Sequence, residues 1–178
     1  SAHRFSRYLG GGAVPGRSHV HEGSRDRTPW RDDQPLLLRH RLFFAGCKSR
    51  TWGQGGLALI DSAQTSHETF ARRYLVTSQQ FQDVFAQETG RSVGYEIDLA
   101  EVRARASLAT GAGRYDLVLY LGDHQGWPMF TFTTPDVNSE VPNPPSSAYR
   151  KVVVQGLRES HGLSAADASD YIDERIGA

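Results

Sequence analysis

The sequence predicts an α+β domain, a curved or closed sheet with two or three helices packed outside it. Three observations predict it. Short apolar runs bounded by turn residues recur along the chain, as strands do. Two later stretches carry apolar residues at helical spacing with capping residues at their ends. The 18 glycines and 8 prolines among 178 residues fit a turn-rich globule.

Phe5, Tyr8 and Leu9 share a face at i, i+3 and i+4, which predicts a helical turn over residues 1–9 that Gly10-Gly11-Gly12 stops. Ala13 to Pro35 is polar, with Arg25, Asp26, Arg27, Arg31, Asp32 and Asp33, and reads as a long surface connection. Leu36–Ala45, Gly56–Ile60 and Phe70–Val76 read as strands. Ser78 is placed to cap a helix over Gln79–Glu88, where Phe81, Val84 and Phe85 form a stripe and Gly90 is placed to end it. Asp116–Gly122 and Met129–Thr134 read as strands joined by a hairpin turn over Asp123–Pro128. Ala148–Gly156 and Ala165–Ile176 read as helices, the second capped by Ser164 with Asp167 in its first turn.

At this length a single domain with enough residues to bury a core is expected. Lys+Arg and Asp+Glu both number 20, a balance that argues against a general binder of nucleic acid or of anionic membranes. Cys47 is the sole cysteine, so no intrachain disulfide forms and a four-cysteine zinc site is excluded. No apolar run reaches the roughly 18 residues that span a bilayer, and no signal-peptide core opens the chain, so a soluble cytoplasmic protein is expected.

Glu88 is the first candidate for chemistry. It continues the Val84–Phe85 stripe, which would turn its carboxylate inward, where apolar neighbours make a carboxylate a better proton acceptor. The alternative is a solvated acid at a helix end. Trp52-Gly53-Gln54-Gly55-Gly56 allows backbone to approach a ligand closely, or is a tight turn into a strand with Trp52 in the core. Pro142-Asn143-Pro144-Pro145 is stiff, extended backbone, after which Ser146 or Ser147 can cap the helix bearing Tyr149. His19-Val20-His21 places two imidazoles on one side of an extended segment near Asp26, a partial zinc-ligand pattern. Cys47 beside an aliphatic segment reads as an inert thiol, even with His40 and His67 elsewhere. No Gly-x-Ser-x-Gly elbow, Walker loop or dinucleotide-binding glycine pattern is present.

The order Trp-Gly-x-Gly-Gly (52–56), Gln87-Glu88, then Pro-Pro-Ser-x-x-Tyr-x-Lys (144–151) resembles that of gamma-glutamyl cyclotransferases, from about Cys47 to the C-terminus. The resemblance implies a small mixed β-barrel with flanking helices over the single domain 1–178. It implies a lyase or transferase that closes a γ-glutamyl amine or amino acid to 5-oxoproline by intramolecular aminolysis. In that reading Glu88 is the acid–base catalyst, and Tyr149, Trp52, Gly53, Gly55, Gly56 and Ser146 surround the substrate. It implies no metal or organic cofactor, a small-molecule partner, and a monomer or homodimer. One departure is plain. The family's first strand and Tyr-Gly-Ser-Asn loop are lacking, and Ser1–Phe5 resembles the stretch that follows them. Two other readings stay open: a catalytically silent relative that binds a small molecule or a protein, and a metal-dependent amide hydrolase using His19 and His21.

Overall fold

The computed structural model describes residues 1–13, 19–46, 48, 49 and 51–176. The N-terminal half runs α1 (Ala2–Gly10), β1 (Gly12–Ala13), β2 (Val20–His21), β3 (Asp32–Leu38), β4 (Arg41–Ala45), β5 (Lys48–Ser49), β6 (Gly53–Gln54), β7 (Leu57–Asp61) and β8 (Thr69–Leu75). Then come α2 (Ser78–Thr89), α3 (Leu99–Arg105), β9 (Ser107–Ala109), β10 (Leu117–His124), β11 (Trp127–Thr133), a 3-10 turn at Val137–Ser139, α4 (Ser147–His161) and α5 (Ala165–Ile176). Cys47 and Arg50, and residues 14–18 of the long polar connection, lie outside the described residues.

Among the described residues all pairing is antiparallel, in the ladders β1–β2, β3–β8, β4–β7 and β5–β6 and the sheet β11–β10–β9. The strand expected over Leu36–Ala45 is two strands, because the chain turns a corner at Arg39-His40. Thr69 Oγ1 donates to the His40 carbonyl at 2.6 Å there, and the His40 ring meets the Asp61 carbonyl at 3.2 Å. The hairpin between β10 and β11 turns on Gln125-Gly126, both at positive φ, a two-residue loop whose twist matches the flanking strands.

A mixed α+β fold is thus present, but the barrel that the resemblance implied is corrected. Among the described residues the strands form separate small sheets, and β8 and β11 each pair on one side only, so no ring closes.

Local sequence explains the helices. Thr77, not Ser78, caps α2: its side chain accepts from Gln80 N while the Gln80 side chain accepts from Thr77 N. This is a reciprocal capping box. Gly90 ends the helix at φ 74, ψ 19, in the left-handed region that a side chain would strain. α4 runs through Gly156 to His161 and stops at Gly162, five residues beyond the sequence expectation. α5 has the predicted bounds, with Ser164 accepting from Asp167 N at 3.1 Å. α3 and β9 carry too little periodicity to be foreseen; Val102 is the one fully buried residue of α3.

The core has two main parts. Leu42, Phe44, Trp52, Tyr149, Leu157, Tyr171 and Ile172 pack α4 and α5 onto β4. Phe85, Ile97, Val102 and Val118 pack α2 and α3 onto β10. Tyr8 and Leu9 of α1 join Val84 of α2 beside them. Among the described residues no helix is long and apolar enough to cross a membrane.

Candidate functional site

Glu88 sits in the last turn of α2, its side chain 20% exposed. It does not face bulk solvent as an isolated acid. Arg4 Nη2, from α1, donates to Glu88 Oε1 at 3.0 Å and to the Tyr8 hydroxyl at 2.8 Å. The Tyr8 hydroxyl donates to the same Glu88 oxygen. Arg4 and Tyr8 are one helical turn apart, so α1 presents both to one carboxylate.

Three rings surround the guanidinium. The Arg4 central carbon lies 5.5 Å from the centroids of Tyr8 and Trp52 and 5.8 Å from that of Tyr149. A planar, weakly hydrated cation is favoured on aromatic faces. Below them Ala58 of β7 sets two hydroxyls: its N–H donates to the Tyr149 oxygen, and its carbonyl accepts from Tyr115, both at 3.4 Å.

Burial in this cluster governs its protons. The Tyr8 hydroxyl is pushed well above its ordinary pKa by desolvation and by Glu88, against the opposing pull of Arg4. Tyr115 is raised by burial and then by Tyr149 and Glu88. Burial works against the charge on Arg4, but Tyr8 and Glu88 outweigh it and keep the guanidinium cationic. His21 packs its ring 4.2 Å from Tyr8, and burial, with His19 second, holds it below the ordinary imidazole range.

A cavity of about 800 Å³ opens beside the cluster, lined by Arg4, Tyr8 and Glu88 with Phe81, Val84 and Phe132 among its apolar walls. A smaller hollow of about 100 Å³ touches Glu88 and Tyr115. A space of the first size suits a small ligand, with apolar walls for its stem and a few polar groups to orient its end. The polar end offers a guanidinium donor beside a carboxylate acceptor.

The structure gathers Glu88, Tyr149 and Trp52 about Arg4. The remaining expected residues are arranged differently. Gly53 is exposed in β6 with open space where a side chain would be. Gly56 donates to the Pro144 carbonyl at 2.8 Å, and a Cβ there would stand 2.0 Å from the Asn143 oxygen. A Cβ on Gly55 would meet Ser146 N at 2.4 Å. Ser146 accepts from Tyr149 N at 3.2 Å and donates to the Trp52 carbonyl at 3.0 Å. The Trp52–Gly56 and Pro144–Ser146 segments therefore clasp each other, and close backbone packing accounts for Gly55 and Gly56. Among the described residues, none of Trp52, Gly53, Gly55, Gly56, Ser146 and Tyr149 lines the large cavity.

The His19 and His21 rings are 4.9 Å apart, edge to face, while Asp26 bonds Thr28 and Thr77 instead of turning to them. Among the described residues no group of three His, Cys, Asp or Glu side chains is placed to hold a metal ion. Sequence reasoning missed Arg4 and saw Tyr8 only as part of an apolar face. The i, i+4 spacing was visible, but nothing local announces a partner 84 positions away.

No family model matches the chain, and no solved structure matches it. Histone deacetylase 5 of Arabidopsis thaliana is 32% identical over 190 residues, an alignment covering 97% of this chain and 29% of that protein. The chain thus spans less than a third of the length of the relative it matches. This overturns the gamma-glutamyl cyclotransferase expectation, and the lyase, transferase and 5-oxoproline chemistry goes with it. The motif order that suggested it falls largely on residues that clasp two backbone segments together, which packing alone requires.

Proposed function

We propose that the chain is part of a deacetylase-type hydrolase, and that the Glu88 cluster binds the acylated amine on which such an enzyme acts. The observation that carries this is the likeness to histone deacetylase 5, which extends along nearly the whole chain. The cavity supports it. An acylated lysine has an apolar stem and a polar amide end. Phe81, Val84 and Phe132 suit the stem. At the end, Arg4 is a donor for the acyl oxygen, and Glu88 is an acceptor for the amide N–H. Both donors on Glu88 reach Oε1, which leaves Oε2 for a ligand among the described residues.

Titration calorimetry with an Nε-acetyl-lysine peptide and its unacetylated counterpart tests the reading, with acetate release followed in parallel. The acetylated peptide is expected to bind more tightly, and Glu88→Gln to abolish the preference. Equal binding of the two peptides, or a preference that Glu88→Gln leaves intact, sinks the assignment.

A further inference from the structure

Two walls of the large cavity have an unusual property. Every residue from 71 to 76 lines one of them, and every residue from 127 to 132 lines the other. Successive side chains of a strand point to opposite faces of its sheet. A cavity touched by every residue of a run therefore reaches the strand's edge as well as one face, where Asp32, Leu36 and Leu38 of β3 also line it. The edges are those of β8 and β11, each paired on its other side alone among the described residues.

The start of β8 and the end of β11 both join the end of β7, β8 through the His40 corner and β11 directly. Thr133, closing β11, donates to the Ile60 carbonyl at 2.7 Å and accepts from Ile60 N at 3.1 Å, tying β11 to β7. From there β8 leads away, since Thr69 pairs with Leu38 near the corner and Leu75 pairs with Asp32 at the far end. β11 leads back toward the tie. The cleft is thus bounded by two antiparallel edges, each carrying unpaired backbone groups, over a floor that includes Phe81 and Val84. An unpaired edge is a template for another strand.

We propose that this cleft is a strand-addition site for an extended, acidic segment of a partner polypeptide, about six residues long at the usual rise per residue. The segment lies parallel to one edge and antiparallel to the other. Its alternate apolar side chains point to the floor and its acidic ones to the rim. Charge selects that chemistry. Of the lining cations, Arg4 is paired with Glu88 and Arg72 with Asp33. Arg31 and Arg73 have no carboxylate within ion-pair distance among the described residues, and Asp32 is the one lining carboxylate likewise unpaired. Two guanidinium groups face one acid. The same arginines disfavour a second copy of this chain, which would bring like charges together at the edge. This site rests on the strand edges and not on the acyl-amide reading.

Trp127 stands at the cleft, 57% exposed, and reports on occupation by its fluorescence. The probe is a capped peptide of alternating glutamate and valine. Its controls are a lysine–valine peptide and a glutamate–valine peptide N-methylated at alternate residues. Saturable binding of the first is expected, with affinity about tenfold lower for each control. Arg31→Glu combined with Arg73→Glu is expected to reverse the charge preference. Glu88→Gln frees the Arg4 cation at the cleft and is expected to tighten binding of the glutamate–valine peptide, the opposite of its effect on acetyl-lysine binding. Absence of saturable binding, equal affinity for all three peptides, weaker glutamate–valine binding in Glu88→Gln, or a concentration-dependent dimer in place of peptide binding each overturns the proposal.

Discussion

Asp83 and Glu88 are carboxylates on the same helix, five positions apart, and the protein treats them in opposite ways. Asp83 is fully buried and saturated: it accepts from Arg25 N at 2.8 Å, Arg25 Nε at 3.1 Å and Gly94 N at 3.0 Å, with the Arg25 guanidinium 3.1 Å away. Those donors come from two loops, so one side chain ties both to α2. Glu88 is partly open, bonded at a single oxygen, and borders two hollows. A buried carboxylate with every acceptor filled has nothing left for a ligand. One with an acceptor turned to a cavity does. The difference teaches that burial alone does not mark a functional acid; the unfilled acceptor does.

Four experiments press on that contrast. Asp83→Ala has the largest expected effect, because it strands Arg25 and two backbone donors. A loss of roughly 3–5 kcal/mol is expected, read from urea unfolding as a lower midpoint at unchanged slope. A loss below about 1 kcal/mol would make Asp83 no more structural than Glu88. Glu88→Gln should do the reverse, costing no more than about 1.5 kcal/mol of stability. Its effect on acetyl-lysine peptide affinity should be about tenfold. If stability fell as for Asp83→Ala, Glu88 would join it as a structural acid.

A double-mutant cycle on Arg4→Met and Glu88→Gln sharpens the second half of the contrast. Both side chains are one-fifth to one-quarter exposed, so solvent screens the pair, and a coupling of about 0.5–1 kcal/mol is expected in thermal unfolding. Zero coupling would mean that the aromatic rings, not Glu88, hold Arg4. The smallest effect is a pH dependence. His21 has its folded pKa depressed, chiefly by burial, so the unfolded chain binds its proton more readily. Its contribution is complete above the unfolded value of about 6.5 and is lost as the pH falls through the lower folded value. Stability should therefore decline on acidification below about pH 6.5. In His21→Gln that portion of the slope should vanish, and an unchanged slope would remove His21 as its source.

Much of the local structure was legible. The α2 stripe, its terminal Gly90 and the Ser164–Asp167 start of α5 follow from spacing and capping chemistry, which act over one helical turn. What misled was a motif order read as chemistry. Gly55, Gly56 and Ser146 occur together because two backbone segments touch, and a sequence does not distinguish a glycine that admits a ligand from one that admits a carbonyl. Glu88 was visible as an acid on an apolar stripe. Its partners were not, since Arg4 and Tyr8 sit among other polar residues of a short helix.

The sequence by itself determined where α2 stops, where α5 starts and stops, and that one acid would end the α2 stripe. Those outcomes depend on interactions within a few positions. Only the tertiary structure decided that Arg4 would be pinned between three rings and Glu88, that Asp83 would be saturated by loops, and that β8 and β11 would line one cavity. Each of these joins residues tens of positions apart. Pairing at that range is settled by which groups a folded chain can satisfy together, a competition that no local spacing records.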